Sequence, residues 1–213
     1  RVKKIIDEAL ILLERFANVS DPLELVILDN IFPCPLSVFR INEFESYLHE
    51  FNKMKVYANF SSLHVLSTDK KRDIIRSYLT MHPEFSSKII QWEGYGLPET
   101  LQSKLAYFCF LHNIYYALPS IERNGIPFIF ELYPGGGFNL NNEESDDLLK
   151  RVISSPCFCK VIVTVEPIYK YLIEKKFCTE DQILFIFGGV MISENKLTAS
   201  YHKTSRFGHG KDR

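Results

Sequence analysis

Apolar residues along this chain alternate between short continuous runs and longer stretches in which they recur at helical spacing. The continuous runs predict buried strands at 23–28, 55–60, 104–112, 126–133, 159–165 and 182–190, with a shorter strand inside 88–100. The helical spacing predicts helices at 2–16, 37–51, 69–81, 113–124, 141–155 and 166–176. Strands and helices that alternate in this way predict an α/β domain with a Rossmann-like, mostly parallel sheet and helices on both faces.

The loops that follow the strands are the expected location of a ligand site, because open parallel sheets bind ligands at the carboxyl ends of their strands. Three such loops lie at 30–37, 133–139 and 188–192. We expect them to share one rim of the sheet and to form the site together.

Several helix ends carry capping residues. Ser37 and Asp69 are predicted N-caps, and Gly125 is a predicted C-cap. The helix at 141–155 has the clearest start, because asparagines precede four carboxylates that lie at the positive end of the helix dipole.

The charge balance argues against nucleic acid as a partner. Of the 213 residues, 46% are hydrophobic, and 25 basic residues stand against 26 acidic ones, without the basic excess of nucleic-acid-binding proteins. No apolar run reaches the roughly 18 residues of a membrane-spanning helix, and no signal-peptide pattern opens the chain. These features predict a cytoplasmic protein.

The cysteines do not predict a disulfide framework, because there are five of them, and reduced thiols are expected. Cys157 and Cys159 form a C-x-C pair, but a zinc site needs two further ligands, and the six histidines are scattered along the chain. Small buried thiols are the alternative interpretation, and no metal site is predicted.

Three consecutive glycines interrupt the segment PFIFELYPGGGFNL at 127–140. A P-loop would need lysine and serine or threonine after the last glycine, and a dinucleotide-binding motif would need the spacing G-x-G-x-x-G after the first strand. Neither pattern is present. Two interpretations stay open: a flexible loop whose backbone approaches a ligand closely, or a plain turn from strand to helix.

Two side chains are candidates for acid–base chemistry. Glu131 lies inside an apolar strand, where burial favours the neutral acid, and a buried pair with an arginine is the alternative. His112 is placed at the end of the strand 104–112 and is interpreted as structural, because no nucleophile can be assigned to it.

Three segments resemble a known family. LDNIFPCPLSVFRINEFESYL, FELYPGGGF and SPCFCKVIVTVEPIYKYLIEKKFCTEDQILFIFGGV are similar to the N-terminal half of GT-B-fold glycosyltransferases of the group 1 class. The resemblance covers most of the chain from Leu23 to Val190.

The resemblance implies an acceptor-binding domain at 21–190, with an amphipathic helix at 1–20 packed on it and a tail at 191–213 that approaches an interdomain linker. The donor, a UDP-, dTDP- or GDP-sugar, would bind a second, C-terminal domain that is missing here, so that these residues alone are expected to be inactive. The expected acceptor is a glycan or small molecule, as in polysaccharide biosynthesis. No tightly bound cofactor or metal is implied, and peripheral association with the inner membrane face is left open.

By position, the resemblance also implies the residues that would line the acceptor cleft: Asn30, Ser37, Glu131, Tyr133, Gly135, Gly136, Gly137, Gly188 and Gly189. No catalytic base is carried over, because relatives have a histidine where this chain has Leu132, Tyr133 and Pro134. Arg40 could face the donor diphosphate, although a surface pair with Glu43 at i, i+3 is the favoured interpretation.

Two other classes of function stay open. One is a self-contained α/β module that binds a sugar or nucleotide without chemistry. The other is an interaction protein that docks through the N-terminal helix, but the polar face of that helix mixes both charges, which weakens attraction to anionic lipid.

Overall fold

A computed structural model describes residues 3–8, 22–37, 39–63 and 69–186 of the chain. Its strands are β1 (Leu25–Asp29), β2 (Met54–Ala58), β3 (Ile89–Gln91), β4 (Ala106–Cys109), β5 (Phe128–Leu132), β6 (Phe158–Val163) and β7 (Ile183–Phe185). Its α-helices are α1 (Phe39–Glu50), α2 (Lys71–Met81), α3 (Leu111–Asn124), α4 (Glu143–Ile153) and α5 (Glu166–Glu174), and residues 3–8 are also helical. Short 3-10 helices lie at Pro35–Ser37, Pro83–Phe85 and Glu180–Gln182.

The strands form one parallel sheet in the order β3-β2-β1-β4-β5-β6-β7. The fold is therefore α/β and Rossmann-like, as the alternating pattern predicts. The chain runs outward from β1 in one direction and returns to build β4 on the other side, where Ile27 lies beside both Val56 and Tyr107. Ligand crevices of such sheets open where the strand order reverses, which in this protein is between β1 and β4.

Helices cover both faces of the sheet because side chains alternate along each strand. On β5, Phe128 and Phe130 pack with α3, α4 and α5, while Ile129 packs on the opposite face with Phe44 of α1. Both groups are almost completely buried. The two apolar layers fix the strand ends, and with them the loops that build the site.

Residues 3–8 pack on the α1 side of the sheet. Ile5 is buried in that core, the Lys4 ammonium donates to the carbonyl oxygen of Phe185 at 3.2 Å, and Lys160 and Glu8 form an ion pair at 2.8 Å. The remainder of the predicted N-terminal helix, residues 9–16, lies outside the described residues. No helix in the described part is long and apolar enough to cross a membrane.

Local capping signals are confirmed at two helices. Gly125 ends α3 with a left-handed φ of 62°, and the side chain of Asn142 accepts a hydrogen bond from the backbone N–H of Ser145 at 2.8 Å. Glycine adopts such a φ without steric cost, and an asparagine N-cap satisfies one of the free amides of the first turn.

Three sequence predictions in this part of the fold are wrong. Ser37 is not the cap of α1, because a 3-10 turn closed by the Ser37 N–H and the Cys34 carbonyl precedes the helix, and the buried Ser37 hydroxyl has no hydrogen bond with described residues. Asp69 is not the N-cap of α2, because the residue that directly precedes this helix is Lys70. His112 lies in α3 and not in a strand, because pairing of β4 ends at Cys109.

Candidate functional site

A cavity of about 240 Å³ opens at the carboxyl ends of β1, β2 and β4, at the reversal of strand order. Its polar lining comes from Asn30, Asn59, Ser61, Ser62, His112 and Asn113, and the remainder from Leu28, Tyr95, Phe110, Tyr116 and Gly136. None of these described lining residues is Asp, Glu, Lys or Arg. The cavity therefore presents uncharged amides and hydroxyls, one imidazole, and aromatic rings.

A chain of hydrogen bonds holds Asn30 in the wall. The Asn30 amide nitrogen donates to the Ser62 hydroxyl at 2.8 Å, and Nη1 of Arg40 donates to the Asn30 side-chain oxygen at 2.8 Å. The Ser62 N–H also donates to the Asn30 carbonyl oxygen at 3.2 Å. The loops after β1 and β2 are thus joined at the cavity surface.

Behind Asn30 lies a buried ion pair between Asp29 and Arg40, which are 0% and 7% exposed. Nη1 of Arg40 lies 2.9 Å and 2.8 Å from the two Asp29 carboxylate oxygens. Asp29 also accepts from the backbone N–H groups of Ile31 and Phe32 at 2.9 Å and 2.7 Å. Burial opposes the charge on Arg40, but the charge and hydrogen bonds of Asp29, together with Cys109 and Tyr107, outweigh it, and the pKa of the guanidinium is raised. The expected surface pair of Arg40 with Glu43 is therefore wrong.

Asn59 ties the loop after β2 to a second loop at the cavity. Its amide nitrogen donates to the Gly94 carbonyl oxygen at 3.2 Å, and its side-chain oxygen accepts from the Ser61 N–H at 3.1 Å. Asn59 therefore connects the loop after β2 to the loop at 92–97 that follows β3.

The three glycines form a tight turn that packs on the start of α3. Gly135, Gly136 and Gly137 have φ values of 85°, 53° and 95°, and Gly135 and Phe138 exchange backbone hydrogen bonds at 2.8 Å and 3.0 Å. A Cβ on Gly137 would lie 2.2 Å from the ring of His112, so a larger residue has no room there. Contacts inside the protein require Gly136 and Gly137, whereas only its positive φ favours glycine at position 135. Gly136 also lines the cavity.

The start of α3 also lines the cavity, through His112 and Asn113. The His112 N–H donates to the Gly136 carbonyl oxygen at 2.9 Å, and the Asn113 amide nitrogen donates to the Cys109 carbonyl oxygen at 2.7 Å. Phe110, just before the helix, holds a φ of 77°, a left-handed value that is rare for a large side chain. Strained backbone of this kind is common at functional sites.

Two tyrosines stand at the mouth of the cavity. Tyr95 is 62% exposed and Tyr116 is 54% exposed, and their ring centroids are 5.9 Å apart with the planes tilted by 56°. Sequence patterns did not single out Tyr95, Tyr116, Asn59, Ser61, Ser62 or Asn113. The segment WEGYGL around Tyr95 carried a signal, since the only tryptophan and two glycines occur together in a short loop.

The predicted site residues lie in different places. Asn30 and Gly136 line the cavity, Gly135 and Gly137 flank it, and the ring of Tyr133 packs between Phe39 and Phe110 at centroid distances of 5.3 Å and 5.8 Å. Ser37 and Glu131 are buried and are not among the lining residues. Gly188 and Gly189, with the loop at 188–192, lie outside the described residues. The loops after β1 and β5 do meet at one rim, as expected.

Glu131 belongs to a buried network on the α1 face of the sheet. The hydroxyl of Tyr107 lies 2.6 Å from Oε1 of Glu43 and 3.0 Å from Oε2 of Glu131, and the hydroxyl of Tyr47 lies 2.9 Å from the same oxygen of Glu43. Burial and the charge on Glu43 raise the pKa of Tyr107 well above its ordinary value, so it stays protonated. This network links α1 to β4 and β5.

The all-parallel sheet and the neutral cavity at its switch point define the class of this protein as a Rossmann-like α/β protein with a candidate small-molecule cavity. No family model, curated protein or solved structure was found to match the chain. All five cysteines are free thiols, and no cluster of three or more metal-binding side chains occurs in the described part.

Proposed function

We propose that this chain binds a sugar in the cavity between β1 and β4 and acts as the acceptor-binding domain of a glycosyltransferase that uses a nucleotide-sugar donor. The observation that carries the proposal is the lining, which combines three asparagine amides and two serine hydroxyls with aromatic rings and no charged side chain. Its place at the strand-order reversal is where such sheets bind ligands.

The lining matches the chemistry of a sugar. Each sugar hydroxyl donates and accepts hydrogen bonds, and amides and serine hydroxyls also offer both functions. Asn30 and Asn59 are held by other side chains or backbone groups, so the polar wall is already arranged before a ligand enters. Such preorganisation reduces the entropy that binding would otherwise cost.

In a transferase this domain would contribute positioning. Holding an acceptor hydroxyl in line with the anomeric carbon of the donor converts an encounter of two molecules into a reaction within one complex. The UDP-, dTDP- or GDP-sugar would be held by another domain, and the acceptor-binding cavity would face it across a cleft.

A binding experiment tests the first part of the proposal. Glucose, galactose and N-acetylglucosamine are titrated into the 213-residue chain and followed by calorimetry and by the fluorescence of Trp92, the only tryptophan in the sequence. Asn113→Ala is expected to weaken binding about two- to tenfold, since a hydrogen bond to a ligand contributes roughly 0.5–1.5 kcal/mol. Leu140→Ala, an exposed residue outside the lining, is the control. Absence of binding by all three sugars and their glycosides would contradict the proposal.

A second experiment separates the transferase from a binding module without chemistry, which the neutral lining fits equally well. Release of nucleoside diphosphate from UDP-, dTDP- and GDP-sugars is measured with the 213-residue chain and with the natural reading frame that encodes it. Donor turnover that depends on Asn113 supports the transferase. Sugar binding without turnover in either form favours the binding module.

A further inference from the structure

The cavity is too small to hold a large ligand. Its volume of about 240 Å³ lies below the roughly 300–1,000 Å³ of pockets that enclose drug-sized molecules. One ring-sized unit therefore fills it, and any further part of a ligand has to pass the mouth. The residues at the mouth then decide what that further part can be.

Tyr95 and Tyr116 are the side chains that stand there, and their exposure is unusual. Each of these residues is more than half exposed, although large aromatic side chains contribute most when they are buried. The two rings are tilted by 56° and do not stack face to face on each other. Aromatic surface therefore remains open directly beside the polar cavity.

The loop that carries Tyr95 is fixed on both sides of the ring. The Gly94 carbonyl accepts from Asn59 at 3.2 Å, and the Gly96 carbonyl accepts from the Trp92 indole N–H at 2.8 Å. A Cβ would come within 2.6 Å of the Trp92 ring at Gly94, and within 2.9 Å of a serine hydroxyl of α3 at Gly96. An exposed ring on a closely packed loop is held in place at little entropic cost on binding.

Tyr116 is fixed in a different way, on the second turn of α3. Its ring lies 5.7 Å from that of His112 and 5.6 Å from that of Tyr115, measured between centroids. The helix and these neighbours hold Tyr116 opposite the loop of Tyr95. The two tyrosines thus form an aromatic pair that continues the wall of the cavity.

We infer that Tyr95 and Tyr116 form a second subsite, which stacks on a second sugar ring while the first ring occupies the cavity. This inference rests on the proposed function and narrows the substrate class to a disaccharide unit or longer glycan, not a monosaccharide. A pyranose presents a face of C–H groups, and the flat, partly apolar faces of tyrosine pack against such a surface while their hydroxyls stay in water.

The test compares affinities for one ring and two rings in the 213-residue chain. Cellobiose, lactose and chitobiose are titrated beside glucose, galactose and N-acetylglucosamine by calorimetry, and the ratio of the two affinities is the readout. We expect at least one disaccharide to bind about tenfold more tightly than its monosaccharide, as one aromatic stacking contact provides. In the variants Tyr95→Ala and Tyr116→Ala, we expect the disaccharide to lose this advantage, so that it binds no more tightly than the monosaccharide.

The conservative variant Tyr95→Phe and two nucleosides, which carry a different kind of ring, serve as controls. Tyr95→Phe keeps the ring and is expected to preserve the ratio, whereas loss of the ratio in this variant would overturn stacking in favour of a hydroxyl contact. Equal affinities for one and two rings in the wild-type chain overturn the inference but leave the proposed function standing. Binding of uridine or guanosine that depends on Tyr95, without any sugar binding, overturns both.

Discussion

Removal of the Arg40 guanidinium is expected to destabilise the fold strongly. In the variant Arg40→Ala, the Asp29 carboxylate stays fully buried but loses the cation that lies 2.8 Å away. Its two backbone donors, Ile31 and Phe32, remain, yet they do not supply a compensating charge. A buried charge without its counter-ion is among the most unfavourable arrangements that a single substitution can create.

The expected loss can be put in numbers. Breaking a buried pair by removing one partner costs about 3–5 kcal/mol, out of a total of about 5–15 kcal/mol for a typical domain. With a urea dependence of about 2 kcal/mol per molar, the midpoint of unfolding should fall by about 1.5–2.5 M. Urea titration followed by far-UV circular dichroism measures this shift, and the fluorescence of Trp92 follows the loop beside the cavity.

Two companion variants make the result decisive. The double variant Asp29→Asn with Arg40→Met removes both charges and should recover part of the lost stability, because no unpaired charge remains. Arg123→Ala breaks a pair with Glu99 in which both side chains are mostly exposed, and it should cost about 0–1 kcal/mol. A loss of less than about 1 kcal/mol in Arg40→Ala, equal to that of the surface control, would refute the reasoning.

Three further predictions concern other parts of the fold. Gly137→Ala should destabilise the protein more than Gly135→Ala in urea titrations, because both have a positive φ but only the first would clash with His112. Equal losses of stability in the two variants would contradict a contribution from the clash. Asn142→Ala should cost about 1 kcal/mol by loss of the N-cap bond, whereas Asn142→Asp should retain it. Burial raises the pKa of Cys178 from 9.0 to about 12, so the thiol ionises at lower pH in the unfolded chain than in the folded one. The free energy of unfolding should therefore fall as pH rises from 9 to 12. The same dependence of this free energy on pH in Cys178→Ala would contradict the prediction.

Much of the fold follows from local sequence. The continuous apolar runs correspond to the strands, Gly125 ends α3 and Asn142 begins α4, because each of these signals acts through neighbours within a few residues. One of the wrong predictions was decided by a distant partner. His112 was assigned to a strand, but its N–H bonds to Gly136 across the rim, and no local pattern shows that contact.

The candidate site was predicted in part for the same reason. The expectation that loops after parallel strands meet at one rim placed Asn30 and Gly136 correctly beside one cavity. Glu131 was selected for its polarity inside an apolar strand, yet the alternation of side chains turns it towards Tyr107 on the other face. Tyr95 could be identified only from exposure and from the crowding at its flanking glycines, which are properties of the folded chain.

The position of Arg40 between a carboxylate in the core and an amide at the cavity has a consequence for how such a protein can diversify. One guanidinium neutralises Asp29 and orients Asn30, so a change of ligand preference obtained at Asn30 would also disturb folding. Substitutions at Tyr95 and Tyr116 should disturb folding less, because more than half of each residue is exposed to solvent. New specificities are therefore easiest to obtain at the mouth, while the wall at Asn30 is constrained to stay the same.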